Sequence, residues 1–141
     1  MADIDAVRYA DDLKNFGATV VTLNAGGILA NYESELDYHT VNPYLTGSSL
    51  SEIVDACHKR EIRVIARVDF SKIPCAVYEK HPEWAFRTAD GGIIEQNGFV
   101  QTCQNSEYQT EKVLDILREI FTKIPFDGLY CNMSGFVGMD Y

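Results

Sequence analysis

The sequence predicts an α/β domain in which parallel strands alternate with helices. The first observation is the alternation itself, because segments with apolar residues at helical spacing are separated by short β-branched segments. The second is the stretch VIARVDFSK, residues 64–72, which starts as a nearly continuous apolar run typical of a parallel strand covered on both faces. The order helix, strand, helix, strand, excursion, helix and strand favours right-handed crossovers and a parallel sheet.

Each element of the first half has its own local signal. Residues 4–16 place apolar side chains at helical spacing, and a glycine ends the pattern. Residues 19–27 are β-branched and closed by two glycines, which predicts a strand. A polar loop over residues 28–48 follows, and loops of this length in compact domains are often functional. Ser49 then starts the second helix, with Glu52 completing a capping box.

The second half begins with the strand over residues 64–72 and continues through a small excursion between elements. Its predicted elements are separated by glycine, proline and short polar residues, which mark turns. In chain order they are a short helix over 74–81, a hairpin over 83–96 that turns at Asp90 and Gly91, a short strand over 99–103, a helix capped by Ser106 and a last strand over 127–135.

Composition and charge exclude several classes of function. The 141 residues are 46% hydrophobic and 23% charged, as in an ordinary globular domain. The net charge of −9 argues against binding to nucleic acid or to an anionic membrane surface, because both require clustered lysine and arginine. The sequence shows neither a signal peptide pattern nor an apolar run near the ~20 residues of a membrane span. We therefore expect a soluble, cytoplasmic protein, unless an upstream segment has been removed.

No cofactor or metal is predicted. The chain contains no G-x-G-x-x-G motif, no Walker loop and no G-x-S-x-G elbow, and its three histidines do not have metal-ligand spacing. The four cysteines are widely spread without a C-x-x-C pair, so a zinc knuckle or a thioredoxin motif is not indicated. We expect buried, free thiols at Cys57 and at Cys131, which lie on the apolar side of a helix and inside an apolar strand.

Polar side chains follow three predicted strands, at the point where each strand ends. Side chains alternate between the two faces of a strand, so Arg67 and Asp69 share a face opposite the apolar residues of their strand. Asn24 and Asn132 have the equivalent place in the first and last strands. If the sheet curls into a barrel, these four residues converge on one rim, and ligands bind at the carboxyl ends of parallel strands.

Structural explanations of the same residues remain open at this point. Arg67 and Asp69 alternatively form an ion pair that holds the top of the sheet in register. Asn24 and Asn132 are alternatively turn formers at strand ends.

Three residues of the loops and the excursion are supplementary candidates for sugar contacts. His39 lies in the polar loop over residues 28–48, which also carries Tyr44, and Trp84 opens the predicted hairpin. Aromatic rings stack on the flat C–H faces of sugars, and amide, carboxylate and guanidinium groups bond sugar hydroxyls. For Trp84 the alternative is a core position that covers the end of the barrel.

Five stretches together resemble one family: NAGGILANYESELDYHTVNPYL, VIARVDFSK, HPEWAFRTADGG, NGFVQTCQNSEY and FDGLYCNMSGF. They are similar to the barrel domain of the hypothetical glycosyl hydrolase six family, which is related to the α-L-fucosidase and β-galactosidase-like barrels. The resemblance covers the chain from the first helix to Asn132. It implies a (β/α)₈ barrel and carbohydrate processing.

The length of the chain fits only part of such a barrel, which typically needs ~250 residues. The resemblance implies a single partial barrel domain over residues 1–141 that contains roughly the second to fourth strands. Hydrolysis of a glycosidic bond needs two carboxyl groups. Related fucosidases carry a carboxylate at the end of the fourth strand, where this sequence has Asn132. Asp69 and, beyond that strand, Asp140 are therefore the catalytic candidates.

The leading prediction is part of a glycoside hydrolase that cleaves O-glycosidic bonds in a carbohydrate substrate. The alternative is a non-catalytic carbohydrate-binding or assembly fragment, whose open sheet edges pair with the rest of the barrel or with another copy. A third interpretation, an open α/β domain without a link to sugars, predicts that Asn24, Asp69 and Asn132 do not approach one another.

Overall fold

The structure, a computed structural model, describes residues 4–132. Its helices and strands are arranged along the chain in the predicted order, with the excursion between the second and the last strand of the main sheet. They are α1 Ala6–Phe16, β1 Val20–Gly27, α2 Leu50–His58, β2 Arg63–Asp69, β3 Lys72–Pro74, α3 Cys75–Tyr78, β4 Glu95–Gln96, β5 Phe99–Gln101, α4 Val113–Lys123 and β6 Gly128–Asn132.

The main sheet has the strand order β1-β2-β6, and both pairings are parallel. This confirms the predicted α/β class with a parallel sheet. The pairing of β1 with β2 starts with Val20 opposite Arg63 and shifts by one residue between Asn24 and Gly26. A shift of this kind bends a strand and re-aims its last side chains, here at the end where polar residues are predicted to meet.

The core lies on the helix side of the main sheet. Val64, Ala66 and Val68 of β2 are fully buried, which confirms the predicted alternation along this strand. The helices contribute apolar stripes to the same cluster of buried side chains, as their 3.6-residue periodicity requires. These stripes include Ile53, Val54 and Cys57 of α2 and Ile116 and Ile120 of α4.

The helix ends confirm two of the three predicted caps. The Ser49 hydroxyl and the Glu52 carboxylate form the capping box of α2. Gly17 ends α1 in the left-handed conformation that glycine adopts without strain. The cap predicted at Ser106 is wrong: its hydroxyl donates to the Cys103 carbonyl at 2.6 Å, and a π-helical turn over Tyr108–Lys112 precedes α4.

The excursion is a small antiparallel sheet with the strand order β3-β5-β4. The predicted turn at Asp90 and Gly91 is present, because the Thr88 amide donates to the Gly92 carbonyl at 3.0 Å. A second turn joins β4 to β5 at Asn97 and Gly98, with φ values of 56° and 82°. Positive φ at both central positions is the requirement of a type I′ turn, so the Asn-Gly pair is a hairpin signal that our sequence reasoning missed.

Strand β6 differs from the sequence prediction in its burial. Leu129 is 42% exposed and Cys131 is also exposed, although the sequence predicts a packed face for both. The reason is that β6 is an edge strand of the sheet in the described residues. All four cysteines are free thiols, and Cys57 is buried as expected. Within residues 4–132, no helix has the length and apolarity needed to cross a bilayer.

The end of β1 lies unusually close to the end of β2. Gly27 has φ +113°, and a Cβ atom at this position would be 2.0 Å from the backbone oxygen of Asp69. The Asp69 oxygen belongs to the main chain, and the added Cβ would be fixed to the main chain of Gly27, so neither atom can move away without separating the strands. Glycine is therefore required here for two reasons, the backbone conformation and the contact distance.

Gly27→Ala is expected to destabilise the protein by more than about 3 kcal/mol, because it adds a main-chain clash to the conformational cost of about 1–2 kcal/mol for a non-glycine residue at positive φ. Urea unfolding of the variant and the parent protein measures this difference. Gly98→Ala is the matched control, since Gly98 has φ +82° with no atom within 4 Å of the added Cβ. Equal losses for the two variants would contradict the steric argument.

Candidate functional site

The register of the main sheet places the predicted rim residues in two levels on the face away from the core. Asn24 pairs with Arg67, and Arg67 pairs with Tyr130. Asp69 is one level higher and pairs with Asn132. The sequence therefore predicted the shared face correctly, and the three strands present their polar residues at the same carboxyl end.

The two residues of the upper level are in contact. The Asn132 side-chain amide donates to Asp69 Oδ2 at 3.2 Å. Asp69 Oδ1 accepts two further hydrogen bonds, from the Ser71 backbone amide at 3.0 Å and from the Ser71 hydroxyl at 2.6 Å. The carboxylate is thus held in one orientation at the end of β2, and it acts as an acceptor in all three bonds. The open-domain interpretation predicted that Asn24, Asp69 and Asn132 do not approach one another, and for Asp69 and Asn132 this prediction is wrong.

Arg67 lies on the same face and has no structural partner among the described residues. Within residues 4–132 it has no ion pair within 4.0 Å and no side-chain hydrogen bond, so the alternative of a structural Arg67–Asp69 pair is wrong for this structure. The side chain is half-buried. Its guanidinium therefore keeps its donors available for another group, and five donors in a planar fork suit carboxylates and clustered hydroxyls.

A cleft of about 300 Å³ opens at this end of the sheet. Three predicted residues line it, and Gly26 of β1 and the loop after β1 supply the rest of the wall. The lining residues are Asn24, Gly26, Ile28, Leu29, Asn31, Asn42, Arg67 and Asp69. Among the described residues, Asp69 is the only acidic residue of this lining. Its polar groups are amides, one carboxylate and one guanidinium, which together can bind the hydroxyl groups of a sugar.

A larger cleft of about 450 Å³ lies elsewhere, where Ser49 at the start of α2 and Lys123 at the end of α4 are both part of the wall. It contains none of the residues predicted from the strand ends. We favour the smaller cleft as the functional site, because ligands of parallel sheets bind at the carboxyl ends of the strands.

Asn31 and Asn42 are site residues that the sequence reasoning missed. The Asn31 side-chain amide donates to the Asn24 carbonyl at 2.9 Å, and the Asn42 amide donates to Asn31 Oδ1 at 2.9 Å. Asn42 Oδ1 in turn accepts from the Tyr44 backbone amide at 3.0 Å. The only sequence signal for this wall was the polar character of the loop, and the positions follow from its folded conformation.

His39 lies behind the cleft and not on its surface. The side chain is 2% exposed, its Nε2 faces the Gly27 amide at 3.4 Å, and its Nδ1 faces the Tyr32 hydroxyl at 3.3 Å. Burial lowers the pKa of His39 from 6.5 to about 4, and the nearby Glu119 carboxylate opposes this shift only in part. The imidazole is therefore neutral at pH 7.

Glu119 of α4 is the charged partner of this region. It accepts hydrogen bonds from the Tyr32 hydroxyl at 2.7 Å, the Ser34 hydroxyl at 2.6 Å and the Glu35 backbone amide at 2.7 Å. Burial acts to raise the pKa of this carboxyl, but these donors and Lys123 outweigh it and lower the pKa to about 2. Glu119 therefore fixes the loop over residues 28–48 to α4.

The two aromatic candidates have opposite environments. Tyr44 is 77% exposed in the loop next to Asn42. Trp84 is 1% exposed and stacks on His81 with ring centroids 3.9 Å apart and an interplanar angle of 4°. Trp84 is thus part of the core, which is the alternative that the sequence left open, and it offers no free ring face. Asp140 lies outside the residues that the structure describes.

The described part of the chain contains no group of three or more histidine, cysteine, aspartate or glutamate side chains that could hold a metal ion.

The sequence profile of one family, described as hypothetical glycosyl hydrolase 6, matches residues 5–133. No curated protein matches the sequence significantly. Similar solved structures include α-L-fucosidase isoenzyme 2 from Paenibacillus thiaminolyticus, with a TM-score of 0.76 and 18% identity over 96% of this chain and 22% of that one.

Two further solved structures have the same fold over most of the chain. A noncanonic maltogenic α-amylase from Thermotoga neapolitana has a TM-score of 0.68 and 18% identity over 94% of this chain and 35% of its own. An α-galactosidase from Geobacillus stearothermophilus in complex with raffinose has a TM-score of 0.64 and 16% identity over 87% of this chain and 18% of its own. The chain therefore spans about a third or less of each of these three proteins.

The depressed pKa of His39 predicts a pH dependence of stability. The unfolded chain binds a proton at His39 below pH 6.5, whereas the folded chain does so only below about 4. Lowering the pH through this window therefore favours unfolding, with a total loss of roughly 3 kcal/mol from this residue. Unfolding free energies from urea titrations between pH 7 and 4 measure the slope.

His39→Gln is the matched variant, because glutamine keeps a donor and an acceptor but does not titrate. His58 and His81 remain in both proteins, so the difference between the two slopes belongs to His39. A variant with the same slope as the parent protein would contradict a buried neutral imidazole. The contribution of Glu119 is separate, since its stabilisation is lost only as the pH falls from 4.5 towards 2.

Proposed function

Because the chain belongs to the hypothetical glycosyl hydrolase 6 family, we propose that it is the sugar-binding part of a glycoside hydrolase acting on O-glycosidic bonds. The observation that carries the proposal is the contact between Asp69 and Asn132 at the carboxyl end of adjacent strands. It places an oriented carboxylate on a polar cleft, beside a guanidinium that has no structural partner among the described residues. Carboxylates and amides of this kind bind the hydroxyls of a saccharide.

The proposed architecture is a partial (β/α)₈ barrel over residues 1–141, containing the second to fourth strands. Its support is the polar carboxyl end of the parallel main sheet, since the sites of (β/α)₈ barrels lie at the carboxyl ends of their strands. Both β1 and β6 are sheet edges in the described residues, so each has a free side for a further strand. This chain covers only 35%, 22% and 18% of the three sugar hydrolases similar in fold, which fits a chain that supplies one segment of a barrel.

In this proposal Asn24, Arg67 and Asn132 bind the substrate, and Asn31 and Asn42 extend the same wall. Tyr44 supplies an additional contact from its exposed position in the loop. His39 and Trp84 are buried and act by supporting the groups that touch the sugar. No cofactor takes part.

Asp69 is the proposed catalytic carboxylate of the described residues. Ser71 and Asn132 hold it with three donors, an arrangement that suits a nucleophile or a binder of hydroxyls better than a proton-donating acid. The second carboxyl group must lie about 5–5.5 Å away for retention or about 6.5–9.5 Å away for inversion. Asp140 is the candidate for this role.

Asp69→Asn is expected to lower turnover of 4-nitrophenyl glycosides by about 1000-fold or more, because a nucleophilic carboxylate is lost. The measurement is the release of 4-nitrophenol by the full chain across a panel of α- and β-linked sugars. Asp12→Asn on the exposed surface of α1 is the control for the same chemical change. Sugar binding without turnover in the parent protein would instead favour a non-catalytic binding fragment.

An exchange variant separates catalysis from support of the rim. Asp69→Asn combined with Asn132→Asp restores one carboxylate and one amide in contact, with the two groups swapped. If Asp69 is catalytic, the double variant regains stability but not turnover, because the carboxylate is displaced to the neighbouring strand. Recovery of activity by the double variant would show that Asp69 only supports the rim.

The barrel proposal has a separate test in the gene that encodes the chain. A reading frame that continues into further alternating strands and helices is expected, since closure needs eight strands. Flanking sequence without that alternation would contradict a barrel within one polypeptide.

A further inference from the structure

A chain of hydrogen bonds connects the end of β1 to helix α4 through the loop. The Gly27 amide faces His39 Nε2 at 3.4 Å, and His39 Nδ1 faces the Tyr32 hydroxyl oxygen at 3.3 Å. The Tyr32 hydroxyl is 2.7 Å from Glu119 Oε2. His39 and Tyr32 are 2% and 8% exposed, so water does not compete for these contacts.

The chemistry of the end groups determines the direction of every bond. The Gly27 amide can only donate, so His39 Nε2 accepts, and a neutral imidazole then carries its proton on Nδ1. The Nδ1 proton is donated to the Tyr32 oxygen, and the Tyr32 hydroxyl donates to the Glu119 carboxylate. All three bonds therefore point from β1 towards α4, and each group has the partner that its chemistry requires.

We propose that His39 and Tyr32 are positioning residues for the sugar cleft, because their hydrogen bonds hold the carboxyl end of β1 in a fixed position against Asp69. This inference rests on the proposed function of that cleft. Neither residue touches the substrate, and both act through Gly27.

Gly27 transmits this constraint because it pairs with Asp69 in the sheet. Its main chain lies against the main chain of Asp69, at a distance that leaves no room for a Cβ atom. A displacement of Gly27 would therefore change the position of the Asp69 backbone. The same end of β1 also carries Asn24, whose carbonyl accepts a hydrogen bond from the side-chain amide of Asn31 on the cleft wall.

Helix α4 anchors the other end of the chain. Glu119 accepts hydrogen bonds from the Ser34 hydroxyl and the Glu35 amide in addition to that from Tyr32. The Lys123 ammonium lies 3.3 Å from the same carboxylate. The Glu119 carboxylate acts on His39 from the helix side, and the Gly27 amide donates a hydrogen bond to His39 from the strand side. Loss of one link in the chain is therefore expected to move the rim without unfolding the helix.

Tyr32→Phe is the sharpest test, since it removes one hydroxyl and both of its bonds while keeping the ring. Hydrogen–deuterium exchange of the full chain is expected to rise in the peptides that cover Gly27 and Asp69, and to remain unchanged in those that cover α1 and α2. Tyr9→Phe on α1 is the matched control. Unchanged exchange at the rim, or a uniform rise over the whole chain, would overturn the proposal.

Kinetics on the best 4-nitrophenyl glycoside give a second measurement. Tyr32→Phe is expected to raise KM by about two- to tenfold and to lower kcat as well, because the displaced rim carries both the sugar-binding groups and the proposed catalytic Asp69. A purely structural role would lower the folded fraction, and hence the apparent kcat, at constant KM. His39→Gln is expected to keep KM within about twofold of the parent protein, whereas His39→Ala raises it like Tyr32→Phe.

The two proposals fail in different ways. If the parent protein neither binds nor cleaves any glycoside of the panel, the proposed function is wrong. Hydrogen–deuterium exchange alone then decides whether the chain of hydrogen bonds positions the rim. If glycosides are cleaved and Tyr32→Phe leaves both KM and rim exchange unchanged, the positioning role is wrong and the proposed function stands.

Discussion

The main chain of Gly27 lies against the main chain of Asp69, and the geometry of the rim depends on this contact. It brings the ends of β1 and β2 closer than side chains would permit. A register shift between Asn24 and Gly26 precedes this contact, and shifts of this kind bend a strand locally. From there, Asp69 reaches Asn132 on the next strand, so three strands are held together at the end where ligands bind.

Polar groups around this contact are arranged in two layers. The outer layer faces the cleft, and its Arg67 guanidinium has no ion pair among the described residues. The inner layer consists of paired groups, a buried His39 that is kept neutral and a partly buried Glu119 that is kept charged. Paired buried groups fix a structure, whereas unpaired groups at a cleft remain available to a ligand. In this respect Arg67 differs from Asp69, Asn31 and Asn42, which line the same cleft but are hydrogen-bonded within the protein.

The sequence predicts the elements and the shared face well because these depend on local periodicity. Alternation along β2 identified Arg67 and Asp69, and the capping box identified the start of α2. It does not predict Asn31 or Asn42, because their positions depend on how the loop folds. Tyr32 meets Glu119 across 87 residues of sequence, a separation that no local pattern encodes. Trp84 was misleading for a related reason, since an aromatic residue in a turn-rich segment fits a binding surface and a core equally well.

The hydrogen bonds that hold the loop over residues 28–48 are unevenly distributed along its length. Residues 30–42 are tied to one another, to β1 and to α4, and Ser48 is tied to the start of α1 through Ile4. Residues 43–45 lie between these two sets of bonds and carry the exposed Tyr44, and the Tyr44 and Leu45 amides donate locally to Asn42. Evolution can thus lengthen or replace this short segment at low cost to folding, because insertions in surface loops are tolerated. A change in this segment would therefore alter what Tyr44 contacts and leave the hydrogen-bonded part of the loop in place.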